Sequence, residues 1–74
     1  MLVVTTDTIP GMKIVKTIGA VDARCSRFVL NEVKSAQNNL EKNAEKLGAN
    51  AIVGFKIEKV SGVAHAYGTA VIAE

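Results

Sequence analysis

Few residues in this 74-residue chain can do chemistry, and those that can are scattered. Cys25 is the only cysteine and His65 the only histidine. Cys25 stands between Arg24 and Arg27, just ahead of a stretch with helical periodicity. Helix N-terminal amides and nearby cations stabilise a thiolate. A thiolate binds soft metals and attacks electrophiles. The competing reading of Cys25 is a small buried apolar side chain at a strand end, common for free cysteine. His65 offers an imidazole nitrogen to a metal. A tetrahedral zinc site takes three or four N/S ligands. Cys25 and His65 therefore make a metal site only with carboxylates or symmetry-related copies. The competing reading of His65 is a hydrogen-bonded strand residue near a subunit contact.

Other chemistry finds less support. Glu32, Glu41 and Glu45 fall on the water-facing side of the expected helix, whereas an acid–base pair must converge in a cleft. Asp7 adjoins Pro10-Gly11 and is expected to cap that loop with its side chain. No nucleophile–base–orienter trio can be assembled, and no serine sits in a nucleophile-elbow pattern. Gly48 and Gly54 lack the spacing of a phosphate-cradling loop. Tyr67, beside Gly68, reads better as packing at a subunit contact than as a platform for a ligand. The expectation is a protein that is not an enzyme.

The elements that hold these residues follow from periodicity. Val29, Val33, Ala36, Leu40, Ala44 and Leu47 recur at helical steps and form one apolar stripe. The spacing predicts a helix over Arg27 to Leu47. Ser26 is the expected N-cap and Asn31 a second candidate. Gly48 sits where a left-handed C-terminal cap belongs. Then the period changes to two: Ala51, Val53, Phe55 and Ile57 should share one face of a strand running to Val60. Leu2 to Thr6 reads as a short strand, Pro10-Gly11 as a turn and Lys13 to Ala23 as a second strand, with Gly19 marking a bulge or close approach. Ser61-Gly62 is a turn. The last strand spans Ala64 to Ala73, with Ala64, Ala66, Gly68, Ala70 and Ile72 on one side and His65, Tyr67, Thr69 and Val71 on the other. The order is ββαββ, an α+β two-layer subunit with one long helix on an antiparallel sheet.

A chain of this length is a single domain over residues 1–74 and hides a modest share of its surface. Small domains are commonly helped by disulfides, metals or oligomerisation. One cysteine excludes an internal disulfide and fits a reducing compartment. Apolar residues make up 49% of the chain, yet the aromatics are only Phe28, Phe55 and Tyr67. Small and branched apolar residues suit thin layers in close approach. One helix covers one face of a sheet, and the second faces of strands two and four are semi-apolar. The chain is therefore expected to be a homo-oligomer, with Ile14, Val15, Tyr67, Thr69 and Val71 at the contact. The net charge of +2 is spread out, without the basic stripe of nucleic-acid binding. No apolar run approaches the ~18 residues of a membrane span. The first residues lack the pattern of a signal peptide. The expected compartment is the cytoplasm.

Four motifs occur in order: Thr5-Thr6-Asp7-Thr8-Ile9-Pro10-Gly11, Gly19-Ala20-Val21, Leu47-Gly48-Ala49-Asn50-Ala51-Ile52-Val53-Gly54 and Ala66-Tyr67-Gly68-Thr69-Ala70-Val71. Together they resemble the YbjQ-like family, also called DUF74 and labelled heavy-metal-binding. The resemblance implies a dodecin-like α/β subunit in a ring, typically a pentamer, with strands pairing across subunits. It also implies a heavy-metal ion as ligand, and no established function. This chain looks like a shortened member, because Asp22-Ala23-Arg24-Cys25-Ser26-Arg27 leads almost directly into the helix. Two alternatives stand beside metal binding. One is a structural or interaction module without a small ligand. The other is a thiol-based carrier of selenium or another chalcogen through Cys25, since small selenium-binding proteins resemble this fold.

Overall fold

The computed structural model describes residues 1–25 and 32–74; the side chains of Cys25, Glu32, Val33 and Val60 also fall outside the description. The elements run β1 (Leu2–Val3), β2 (Ile14–Cys25), α1 (Glu32–Lys46), β3 (Ala51–Val60) and β4 (Val63–Ala73). The ββαββ order is the expected one. The expected helix start between Arg27 and Asn31, with the Ser26 and Asn31 caps, lies outside the described residues.

The four strands form one sheet in the order β1-β3-β4-β2. It is not wholly antiparallel. β1 runs parallel to β3, with Leu2 beside Ala51 and Val3 beside Ile52. The ladder continues past β1, where Val4 N–H donates to Ile52 O at 2.9 Å, Phe55 N–H to Val4 O at 3.0 Å and Gly54 N–H to Thr6 O at 2.9 Å. Parallel strands need a long crossover, and here β2 and α1 lie between the two.

α1 lies on one face of this sheet. Ala36, Leu40 and Ala44 are fully buried against Val21, Ala23, Ile52, Ala64, Ala66 and Ala70. The row of small residues along β4 lets the helix sit close to the sheet. Its C-terminus closes as a Schellman turn: Ala49 N–H reaches Ala44 O at 3.1 Å and Gly48 N–H reaches Glu45 O at 2.9 Å. Gly48 takes φ 87°, a left-handed conformation that glycine adopts freely. Leu47, expected in the apolar stripe, falls in this turn instead and is 54% exposed.

A second apolar cluster lies on the other face. Ile9, Ala51, Val53, Val71 and Ala73 are buried together, with Val4 and Ile14 packed against them. The chain between β1 and β2 crosses the face to bring Ile9 there. Its turn is closed by Met12 N–H donating to Ile9 O at 3.0 Å, with Gly11 at φ 78°. Pro then Gly with positive φ are the central residues of a type II turn. The side-chain bond in the preceding bend comes from Thr6, not from the expected Asp7: Thr6 Oγ1 donates to Thr8 O at 2.6 Å.

β3 changes sides part-way. Val53 pairs with Thr69 and Lys56 with Tyr67, so Gly54 and Phe55 stand opposite Gly68 alone. This is a bulge with a left-handed glycine, Gly54 at φ 63°. It splits the face expected for Ala51, Val53, Phe55 and Ile57. The first two join the second cluster, and the last two pack on the helix side. β2 carries two register shifts of its own, one of them between Thr17 and Gly19 as expected from Gly19.

Candidate functional site

The face away from α1 is divided. One end lies under the segment that carries Ile9. Among the described residues nothing covers the other end, towards the β3–β4 hairpin, which bears polar side chains. That hairpin turns on Ser61 and Gly62, at φ 53° and 78°, between the paired residues Val60 and Val63. Positive φ at both central residues marks a type I′ turn, whose twist matches that of the strands.

A two-residue turn fixes the pairing beyond it. Glu58 lies beside His65 and Lys56 beside Tyr67 on β3 and β4. On the far side of β4, Arg24 pairs with His65 and Asp22 with Tyr67. Two rows result: Glu58, His65, Arg24 and, one pleat along, Lys56, Tyr67, Asp22. Their intervening neighbours, Ala23, Ala64 and Ala66, are buried beneath the helix. By the alternation of a strand, both rows therefore face away from the helix. Glu58, Lys56, Arg24 and Asp22 are exposed, while His65 and Tyr67 are half-buried.

Tyr67 Oη donates to Glu58 Oε1 at 2.8 Å, a diagonal contact across the two strands. That hydrogen bond is the main cause holding the phenol above its ordinary value near 10; desolvation and the Glu58 charge push in the same direction. Ionising the phenol would destroy the donor and set two negative charges together.

The structure gathers some of the expected site residues and separates others. His65 and Tyr67 stand on one open face. Glu58, which the sequence did not single out, joins them. Cys25 closes β2 with its backbone beside Ala64, one position along from the Arg24–His65 pair; its side chain lies outside the described residues. Tyr67 and Thr69 are half-exposed, and Val15 is 47% exposed. Ile14 and Val71, expected at a subunit contact, belong to the second cluster, where Val71 is 1% exposed inside its own chain. The segment carrying Ile9 covers them first.

The described residues of one chain do not make a complete metal centre. Among the described residues, no group of three or more His, Cys, Asp or Glu side chains could hold an ion. Glu58 and His65 offer one carboxylate and one imidazole, half the donors of a four-coordinate ion.

The rim of β2 is also occupied. Asn43 Nδ2 donates to Asp22 O at 3.1 Å and Asn39 Nδ2 to Arg24 O at 3.2 Å. One turn apart on α1, the two amides bond alternate carbonyls of an edge strand, which would otherwise stand open as a pairing template. Elsewhere an amide plays the part of a strand. Asn50 Nδ2 donates to Ala73 O and Asn50 Oδ1 accepts from Ala73 N–H, both at 2.9 Å.

Residues 24–74 match the YbjQ family model, described as "Putative heavy-metal-binding". This chain belongs to the YbjQ family. The match takes in Cys25, Glu58 and His65 and the last two of the four sequence motifs, while the first two precede it. A solved structure supplies the fold over the whole length. It is the crystal structure of a protein of unknown function from Pediococcus pentosaceus, placed in DUF74. The TM-score is 0.75 at 23% identity, over 100% of this YbjQ chain and 98% of the other. No curated protein matches this chain. Among the described residues, no helix is long and apolar enough to cross a membrane.

Proposed function

We propose that this chain is a non-enzymatic subunit that assembles with copies of itself and binds a heavy-metal ion at Glu58 and His65. The observation that carries the reading is their register pairing on the uncovered end of the sheet. Side chains on directly opposed strand residues are within about 4.5–5.5 Å at Cβ, close enough to share an ion. The family description points to the same ligand class. An imidazole and a carboxylate suit borderline ions such as zinc, copper or nickel. The remaining positions go to water or to a neighbouring copy. The single cysteine fits a reducing compartment, and this reading places the protein in the cytoplasm.

Titration of the chelator-treated protein with zinc, followed by calorimetry, tests the metal half. Binding is expected in the wild type and is expected to weaken at least tenfold in His65→Ala. Equal binding by both would overturn the assignment to His65. Native mass spectrometry tests the assembly half and counts the subunits, five being the number that the resemblance implies. A monomer at micromolar concentration would overturn that half.

A further inference from the structure

Tyr67 reaches past its own register partner. It stands beside Lys56, yet its phenol bonds Glu58, whose direct partner is His65. A diagonal of this kind is within reach of an aromatic side chain. The bond occupies one carboxylate oxygen, Oε1, at 2.8 Å and leaves Oε2. An exposed glutamate otherwise samples many rotamers, and an ion that binds it must bear the cost of ordering it. Tyr67 bears part of that cost in advance. A tyrosine is itself a rigid side chain with few torsions. This one is half-buried and stands on β4, an inner strand flanked by β3 and β2. On one side of it lies the bulge at Gly54 and Phe55, on the other the Ser61-Gly62 turn. Between them the pairs from Lys56–Tyr67 to Val60–Val63 run without a register shift.

The oxygen that is left decides how the carboxylate can bind. A small ion such as zinc, in a four-coordinate shell, takes a carboxylate oxygen at about 2.0–2.2 Å. A larger ion gathers more oxygens and often takes both from one carboxylate. A hydroxyl donating to Oε1 opposes that second mode, because its proton competes with the ion for the same oxygen. It leaves undisturbed the first mode, through Oε2. Ligating carboxylates are commonly held by such outer hydrogen bonds.

We propose that Tyr67 is a positioning residue for the Glu58–His65 site: its hydroxyl holds Glu58 to binding through one oxygen and so selects small divalent ions over larger ones. The inference rests on the metal half of the function proposed above, and not on the assembly.

The test is calorimetric titration of the chelator-treated full chain with zinc and, separately, with cadmium, a larger divalent ion. Every protein compared carries Cys25→Ser, so that no thiol captures the softer cadmium. Tyr67→Phe keeps the ring and removes the hydroxyl, and circular dichroism confirms its fold. It is expected to weaken zinc about tenfold, the low end for loss of an outer hydrogen-bond partner, and cadmium by less than about threefold. The preference for zinc therefore falls. Equal loss of both ions would mark a merely structural role and overturn the proposal. So would zinc binding that ignores Tyr67→Phe while failing in His65→Ala, which would leave the metal reading standing. As the one tyrosine of the chain, Tyr67 also reports on itself. Zinc at neutral pH is expected to leave its absorbance that of a phenol. A tyrosinate band would make the oxygen a ligand and overturn the positioning role. A parent protein that binds no zinc would overturn both readings.

Discussion

At Tyr67 a single hydrogen bond sets the behaviour of an exposed face. The chain has one tyrosine and no tryptophan, so tyrosinate absorbance reports that residue alone. The Glu58 bond raises the phenol in the folded state, so folding favours its neutral form. The stabilisation is present in full below the unfolded value near 10 and is lost as pH rises through the higher folded value. An ultraviolet titration should place the midpoint above 10, and Glu58→Gln should move it down toward 10. A midpoint that ignores the substitution would separate the two side chains. The sequence placed His65, Tyr67 and Thr69 correctly on one face of β4. It did not bring in Glu58, because that needs the β3–β4 register. The Ser61-Gly62 turn held that register, and a strict reading of a two-residue I′ turn would have found it. Asn50 was visible as a hinge residue, but its bidentate grip on Ala73 was not, since the partner lies 23 positions away.

Among the elements, β3 departs furthest from its pattern. Alternation alone put Ala51, Val53, Phe55 and Ile57 on one side, and the bulge at Gly54 divides them. A Gly in a strand is an ambiguous mark, a weak point or a bulge. At Gly19 the sequence pointed to a bulge or a close approach; at Gly54 alternation along the strand gave only a place on the face opposite Val53 and Phe55. Gly68 pays the steric consequence opposite the bulge. A Cβ there would lie 2.7 Å from Ile52 Cγ2 and 3.1 Å from Val53 O. Ile52 is fully buried and the carbonyl belongs to the ladder, so neither yields easily. Gly68→Ala should destabilise the fold by roughly 1–3 kcal/mol in urea denaturation, the range for overpacking. An unchanged midpoint would mean that β3 shifts freely. α1 was more legible. Its stripe and Gly48 cap are local signals, and the cap ended the helix just before Leu47, which the stripe alone had claimed.

The whole molecule has two apolar layers where the sequence promised one helix-covered layer and a bare apolar face. The second cover is Ile9, 5% exposed beside the Pro10-Gly11 turn. A lone loop residue carries no period, so nothing local showed that it would fold over β3 and β4. Among the described residues, the face it leaves open is charged rather than apolar. Ile9→Ala should cost about 2–4 kcal/mol, the loss of a buried core side chain. Leu47→Ala, at a 54% exposed position, should cost under about 0.5 kcal/mol. If the two variants unfold alike, the segment is decoration and not cover.

The amides of Asn39 and Asn43 also bear on how the chain comes to be made. β2 and α1 leave the ribosome before β3 and β4. If α1 docks on β2 before β4 arrives, its asparagines would screen one flank of the strand and leave only the flank that β4 later fills. Asn39→Ala with Asn43→Ala is then expected to raise aggregation during refolding while leaving the final fold intact, as light scattering on dilution from urea would read.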